Sequence, residues 1–154
     1  MNARDLTIKL LGELLYVERR LADEVLRTLL DAVHDDDLEA SLAQHLDETR
    51  THVERIETVF RRLSVAPTSN RQAAFEAAVA QHDEAARSIA DARLADIFHA
   101  QAALHTELSE IASYRAVLHL LPSDEAELLR PSLADEEHAA TLLERMIARL
   151  VDAG

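Results

Sequence analysis

Residues 37–64 read Asp37-Leu38-Glu39-Ala40-Ser41-Leu42-Ala43-Gln44-His45-Leu46-Asp47-Glu48-Thr49-Arg50-Thr51-His52-Val53-Glu54-Arg55-Ile56-Glu57-Thr58-Val59-Phe60-Arg61-Arg62-Leu63-Ser64. Spacings of three and four lead from Leu42 through His45, Thr49, His52, Ile56 and Val59 to Leu63. That alternation is the seam of a helix packed against other helices. Its ends are apolar, and two imidazoles occupy its middle.

Three other stretches carry the same pattern. They read Leu11, Leu14, Glu18, Leu21, Val25; then Leu104, Glu107, Ile111, Tyr114, Leu118, Leu121; then Leu129, Leu133, Glu136, Ala140, Leu143, Ile147, Leu150. Each holds a glutamate near its middle. Breakers separate the stretches: His34-Asp35-Asp36-Asp37, Pro67-Thr68-Ser69-Asn70, Ser88 to Asp91, and Leu121-Pro122-Ser123-Asp124. These signals predict long helices over about 4–33, 37–64, 91–120 and 123–151, and a shorter one over about 71–87. Ser123 or Asp124 is the expected N-cap of the last. Short links make sequence neighbours antiparallel, and the short helix lets the middle connection cross the length of the others. The expected fold is all-α: a ferritin-like antiparallel four-helix bundle with an extra helix in its long crossover.

Composition agrees. The chain has 154 residues, with two glycines, three prolines and no cysteine. One domain over 1–154 is expected at this length. Without cysteine there are no disulfides, thiolate nucleophiles or iron–sulfur clusters. Gly-rich phosphate loops are absent. A net charge of −13 opposes nucleic-acid backbones and anionic lipid. No apolar run reaches membrane-spanning length, and the first residues lack the apolar core of a signal peptide, so a cytoplasmic protein is expected.

Carboxylates facing a dry core cost several kcal/mol unless compensated. Three seam glutamates at a similar depth to two histidines suggest compensation by cations. Two divalent ions supply a charge of +4, near that of four carboxylates. Glutamate pairs and Glu/His pairs three or four residues apart share a helix face and can reach one ion. The chain offers His45-x-x-Glu48, Glu48-x-x-x-His52, Glu107-x-x-Glu110 and Asp135-Glu136, with His138 nearby. The competing expectation is a metal-free structural or interaction protein whose seam acids are neutralised by Arg19, Arg20, Arg50, Arg55 or Arg115. His34, His82, His99, His105 and His119 read as surface or satisfied core histidines, and Tyr114 as packing.

The runs His45-Leu46-Asp47-Glu48-Thr49, His52-Val53-Glu54-Arg55-Ile56-Glu57 with Val59-Phe60, and Glu107-Leu108-Ser109-Glu110-Ile111-Ala112-Ser113-Tyr114 resemble the signatures of the YciE/YciF-type ferritin-like proteins. Leu14-Leu15-Tyr16-Val17-Glu18-Arg19-Arg20-Leu21 is similar to that family's opening motif. The resemblance implies a carboxylate-bridged dinuclear metal site of two iron ions, or manganese. It also implies a link to stress responses, reactivity toward dioxygen or peroxide, and a homodimer, with no firmly assigned reaction. Carried over by position, the implied ligands are Glu18, His45, Glu48, Glu107, Glu110 and Glu136, with His52 behind them or in packing. The chain departs from the pattern at Leu108, Ala140 and Pro131. Asp135 or His138 is the candidate to replace the acid missing at 140, and Pro131 is expected to kink the last helix.

Overall fold

The computed structural model describes residues 1–154, and all of its regular elements are helices. Helix α1 runs Ala3–Arg20, continues through a π-helical stretch at Leu21–Val25, and resumes as α2, Leu26–Ala32. Asn2 and Asp5 form a capping box at its start. The remaining helices are α3 (Asp36–Arg62), α4 (Ala73–Ala86), α5 (Ala92–Leu120) and α6 (Ser123–Asp152).

Local chemistry sets the breaks. Asp35 accepts from the Leu38 backbone amide and starts α3; Asp91 does the same for Leu94 and starts α5. Pro122, not Ser123 or Asp124, occupies the N-cap of α6. Pro131 does not break α6. It lies on the exposed face, where the Glu127 carbonyl left without its amide partner faces water. The π stretch inserts one extra residue into what the sequence reads as a single helix. Its Leu26 amide reaches back to the Leu21 carbonyl, and the Arg27 guanidinium donates to Ala22 O at 3.3 Å.

The helices touch in a ring, α1 to α3 to α6 to α5 and back to α1. Their directions follow from contacts at the ends. Arg4 at the start of α1 donates to the Leu63 carbonyl at the end of α3. Asp96 near the start of α5 accepts from the His34 and Asp35 amides at the start of α3, 2.9 Å each. Arg149 near the end of α6 pairs with Asp35. Every neighbouring pair in the ring is therefore antiparallel, and the segment carrying α4 connects two helices that run the same way.

The connecting loop docks on α1. Asn70 N donates to Gly12 O at 2.9 Å, and a Cβ at position 12 would collide with the Asn70 side chain. Glycine lets the Asn70 and Thr68 side chains lie against the helix there without moving aside. Two apolar clusters fill the interior. One gathers Leu11, Leu15, Ile56, Phe60, Val117 and Leu129; the other gathers Leu21, Leu26, Leu38, Leu42, Ala100 and Leu143. A layer of buried polar side chains separates them. No helix is long and apolar enough to cross a membrane.

Candidate metal centre

Glu18, His45, Thr49, His52, Glu107, Glu110 and Glu136 form that layer, each at most 4% exposed. The seam spacing delivers them: α1 supplies Glu18, α3 both histidines, α5 two glutamates and α6 Glu136. Side chains three or four residues apart on a helix share a face, so His45/Thr49/His52 and Glu107/Glu110 point inward together.

The polar atoms fall into two groups that share one residue. His45, Glu107, Glu110 and Glu136 bring their ligating atoms together, and so do Glu18, His52 and Glu136. Glu136 turns a different oxygen to each histidine. Its Oε1 is 2.9 Å from His52 Nδ1, and its Oε2 is 3.8 Å from His45 Nε2. His52 Nδ1 also lies 3.1 Å from Glu18 Oε1, and His45 Nε2 lies 3.0 Å from Glu107 Oε1.

Hydrogen bonds among these groups do not account for their placement. Glu18 Oε2, both His45 nitrogens, Thr49 Oγ1, Glu107 Oε2, and both oxygens of Glu110 and of Glu136 are buried without a hydrogen-bond partner. Each such group carries a desolvation cost of about 1–3 kcal/mol. Two ligand atoms at right angles on one ion, each about 2.1 Å from it, stand about 3 Å apart. Several of the closest pairs match that spacing, and carboxylates with imidazoles suit iron, manganese or zinc. The donor set fits a metal.

The electrostatics of the bare site point the same way. Burial raises the Glu18 carboxyl, and it raises Glu110 well above the ordinary range with help from Glu136, Glu18 and Glu107. Burial and the Glu107 contact push Glu136 up to about 8. Burial alone would lower the two histidines. The Glu107 charge instead carries His45 well upward, and the close carboxylates of Glu136 and Glu18 take His52 to about 10. Three acids and two imidazoles thus compete for protons at one spot, and cations would relieve that competition.

The arginines that could have neutralised the acids are engaged elsewhere. Arg19 pairs with Glu57, Arg20 with Glu24 and Glu76, Arg50 with Asp47, and Arg115 with Glu137. Arg55 bonds Ser132 and Asp135. None reaches Glu18, Glu107, Glu110 or Glu136.

Of the six residues singled out from the sequence, five lie in the two groups. Glu48 is partly exposed outside them, 3.8 Å from His45 Nδ1, and accepts from Gln44. The His45 contact holds its carboxyl below the ordinary value. Asp135 is not in either group; it accepts from His52 Nε2 at 3.0 Å, taking up the nitrogen that faces away from Glu136. His138 is exposed. Tyr114, read from the sequence as packing, is fully buried and donates its hydroxyl to Glu18 Oε1. Its seam position beside the glutamates was the only signal of that contact.

A family model described as a domain of unknown function (DUF892) matches residues 2–154. The chain belongs to this DUF892 family. No curated protein matches it in sequence. Among solved structures, the Escherichia coli stress protein YciF is 25% identical, with a TM-score of 0.91 over 99% of each chain. YcfI of Rhodopseudomonas palustris, provisionally named a structural protein, is 27% identical, with a TM-score of 0.90 over 94% of each chain. The similarity of the helical sequence to YciE/YciF-type proteins is thereby borne out across the DUF892 match and the YciF fold.

Proposed function

We propose that this DUF892 chain is a ferritin-like four-helix bundle that holds two iron ions, or manganese, in the polar layer. The observation that carries the reading is the pair of buried ligand groups joined through Glu136, with their lone pairs left unpaired by the protein. His45, Glu107 and Glu110 would hold one ion, Glu18 and His52 the other, and Glu136 would contribute one oxygen to each. Glu48 stands within reach of His45 as an orienting carboxylate or an additional ligand. When bound, such a pair supplies two one-electron redox centres with positions open to dioxygen or peroxide.

The protein's own part is to orient and to exclude. Asp135 fixes the His52 ring through Nε2, which leaves Nδ1 to face the glutamates. Tyr114 holds Glu18 and has its proton at that oxygen. Burial raises the phenol well above its ordinary value, with the Glu18 charge adding to it, so this proton stays on the tyrosine at neutral pH. The apolar clusters above and below close the layer off at both ends of the helices. The name of the E. coli relative, a stress protein, supports a role in a stress response; a cytoplasmic homodimer is part of the same proposal.

The name of the R. palustris relative favours a second reading, a metal-free structural protein. The engagement of the arginines elsewhere weighs against its central requirement. Calorimetric titration of chelator-stripped protein with Fe(II) under anaerobic conditions, and with Mn(II), separates the two. About two equivalents per chain are expected; no binding of either metal sinks the proposal.

A further inference from the structure

Beside the polar layer lies a cavity of about 1180 Å³, bounded by α1 with the π stretch, by α4 and by α5. Sites for small organic molecules span roughly 300–1,000 Å³, so this one has room for an extended ligand. Leu14, Val17, Leu21 and Val25 form one wall, Phe75 and Val79 on α4 the opposite one, and Phe98 and Ala102 on α5 a third. At its inner end stand Glu107 and Glu110, nearly inaccessible and with oxygens that no protein group satisfies.

The outer wall is unlike the other helices. Helix α4 has no fully buried residue, although it carries Ala73, Ala74, Phe75, Ala77, Ala78 and Val79. Polar contacts hold it at two places. Glu76 accepts from Tyr16 Oη and Arg20 Nε, 2.6 Å each, and His82 Nε2 meets His99 Nδ1 at 3.0 Å. Phe75 also packs against the edge of the second apolar cluster, while Ala74, Phe75, Ala78 and Val79 line the cavity. The space opens to solvent past the exposed Gln101, His105 and Ser109, so water reaches its walls. Water against such walls is readily displaced by apolar groups.

We propose that this cavity binds a neutral, elongated apolar molecule, such as one with an aliphatic chain, with α4 as its outer wall. Charge selects against an anionic ligand. Glu107 and Glu110 close the inner end, Glu13, Glu24 and Asp83 lie along the lining against one arginine, Arg87, and the chain carries a net charge of −13. The site's existence does not depend on metal. Its role as the place where an organic co-substrate meets the centre rests on the reading above.

The test uses the full chain and N-phenyl-1-naphthylamine, a neutral apolar fluorophore. Saturable binding of about one probe per chain is expected, displaced by dodecan-1-ol at concentrations at least tenfold below those needed with dodecanoate. Ala102→Trp and Ala78→Trp, which fill the cavity from α5 and α4, should weaken the probe at least tenfold and leave Mn(II) stoichiometry unchanged. If either variant fails to fold by circular dichroism, Ala102→Leu carries the same expectation. Absence of saturable binding, binding indifferent to these variants, or preference for dodecanoate overturns the proposal. So does dissociation of a dimer by the tryptophan variants in sedimentation, since the surface would then be a contact between copies. Probe binding to protein that takes no metal would refute only the dinuclear reading; metal uptake without probe binding would refute only this one.

Discussion

Glu136 Oε1 lies 2.9 Å from His52 Nδ1, with both side chains fully buried, and yet that oxygen makes no aligned hydrogen bond. The contact is close because both atoms face one spot, not because they face each other. The same carboxylate presents its other oxygen toward His45. Helix α6 thus supplies the residue that joins two sites built mainly from α1, α3 and α5.

The two histidines of α3 should therefore behave alike. His45 was the sequence's choice of ligand, with His52 behind it. With Nδ1 among Glu18 and Glu136 and Nε2 held by Asp135, His52 is as well placed as His45. His45→Ala and His52→Gln should each lower Fe(II) or Mn(II) binding from about two equivalents to about one. Titration calorimetry reads this directly, and a His52→Gln protein that still binds two would return His52 to a supporting role.

Glu110 offers the cleanest separation of metal binding from stability, because neither of its oxygens is satisfied. Replacing it by leucine removes a buried polar group and keeps most of its volume. The metal-free Glu110→Leu protein should be more stable by roughly 1–3 kcal/mol, with loss of the ion held near His45. Glu136→Leu should lose both ions. Urea denaturation in chelator and a metal titration of each variant supply the check; destabilisation of the metal-free Glu110→Leu protein would mean that the carboxyl has a partner in solution.

Much of this architecture was legible. The breaks at His34–Asp37, Ser88–Asp91 and Leu121–Asp124 fall where the sequence places them, although the last helix is capped by Pro122, and the central residues of all four seams are buried as their spacing requires. A helical wheel places His45, Glu48 and His52 on neighbouring lines, so it cannot say which imidazole nitrogen is taken by a flanking acid. Asp135 settles that for His52, and it comes from another helix. Asp96 escaped notice for a related reason. It caps the start of α3 from α5, and only its position within the apolar run Leu94-Ala95-Asp96-Ile97 hinted that it was buried. The π stretch at Leu21–Val25 has no sequence signal, since one extra residue leaves the apolar pattern readable as an ordinary helix.

The bare site makes a definite statement about pH. Glu18, Glu110 and Glu136 all hold protons more tightly folded than unfolded, the last to about 8, and His52 does so to about 10. Raised folded values stabilise the fold fully below the ordinary values, 4.5 for the acids and 6.5 for histidine, and that stability is lost as pH climbs through 8 toward 10. Metal-free protein should thus have a lower urea midpoint at pH 9 than at pH 6. Bound metal reverses the trend, because its ligands must be deprotonated and protons compete with it. Parallel denaturation series in chelator and in excess Mn(II) should diverge in slope; two series that fall together would show that the layer takes up no metal.

Pro131 supplies the last test, because it is the residue most at odds with an unbroken fourth helix. Helix α6 runs through it, and Ser132, Asp135 and Glu136 still reach Arg55 and His52. Packing of α6 against α3 and α5 therefore sets the aim of Glu136, and the proline contributes only a missing amide on the exposed side. Alanine there would restore the bond to the Glu127 carbonyl and suit a helix interior better by up to about 3 kcal/mol. Part of that gain is lost because the unfolded chain becomes freer, by about 0.4–1 kcal/mol. Pro131→Ala should be more stable by roughly 1–2 kcal/mol, with metal stoichiometry and affinity unchanged. A shift in urea midpoint without any change in the titration is the expected pair of results. Loss of one ion instead would mean that the proline tilts the helix turn carrying Glu136, and that its position four residues before Asp135 and five before Glu136 is part of the site.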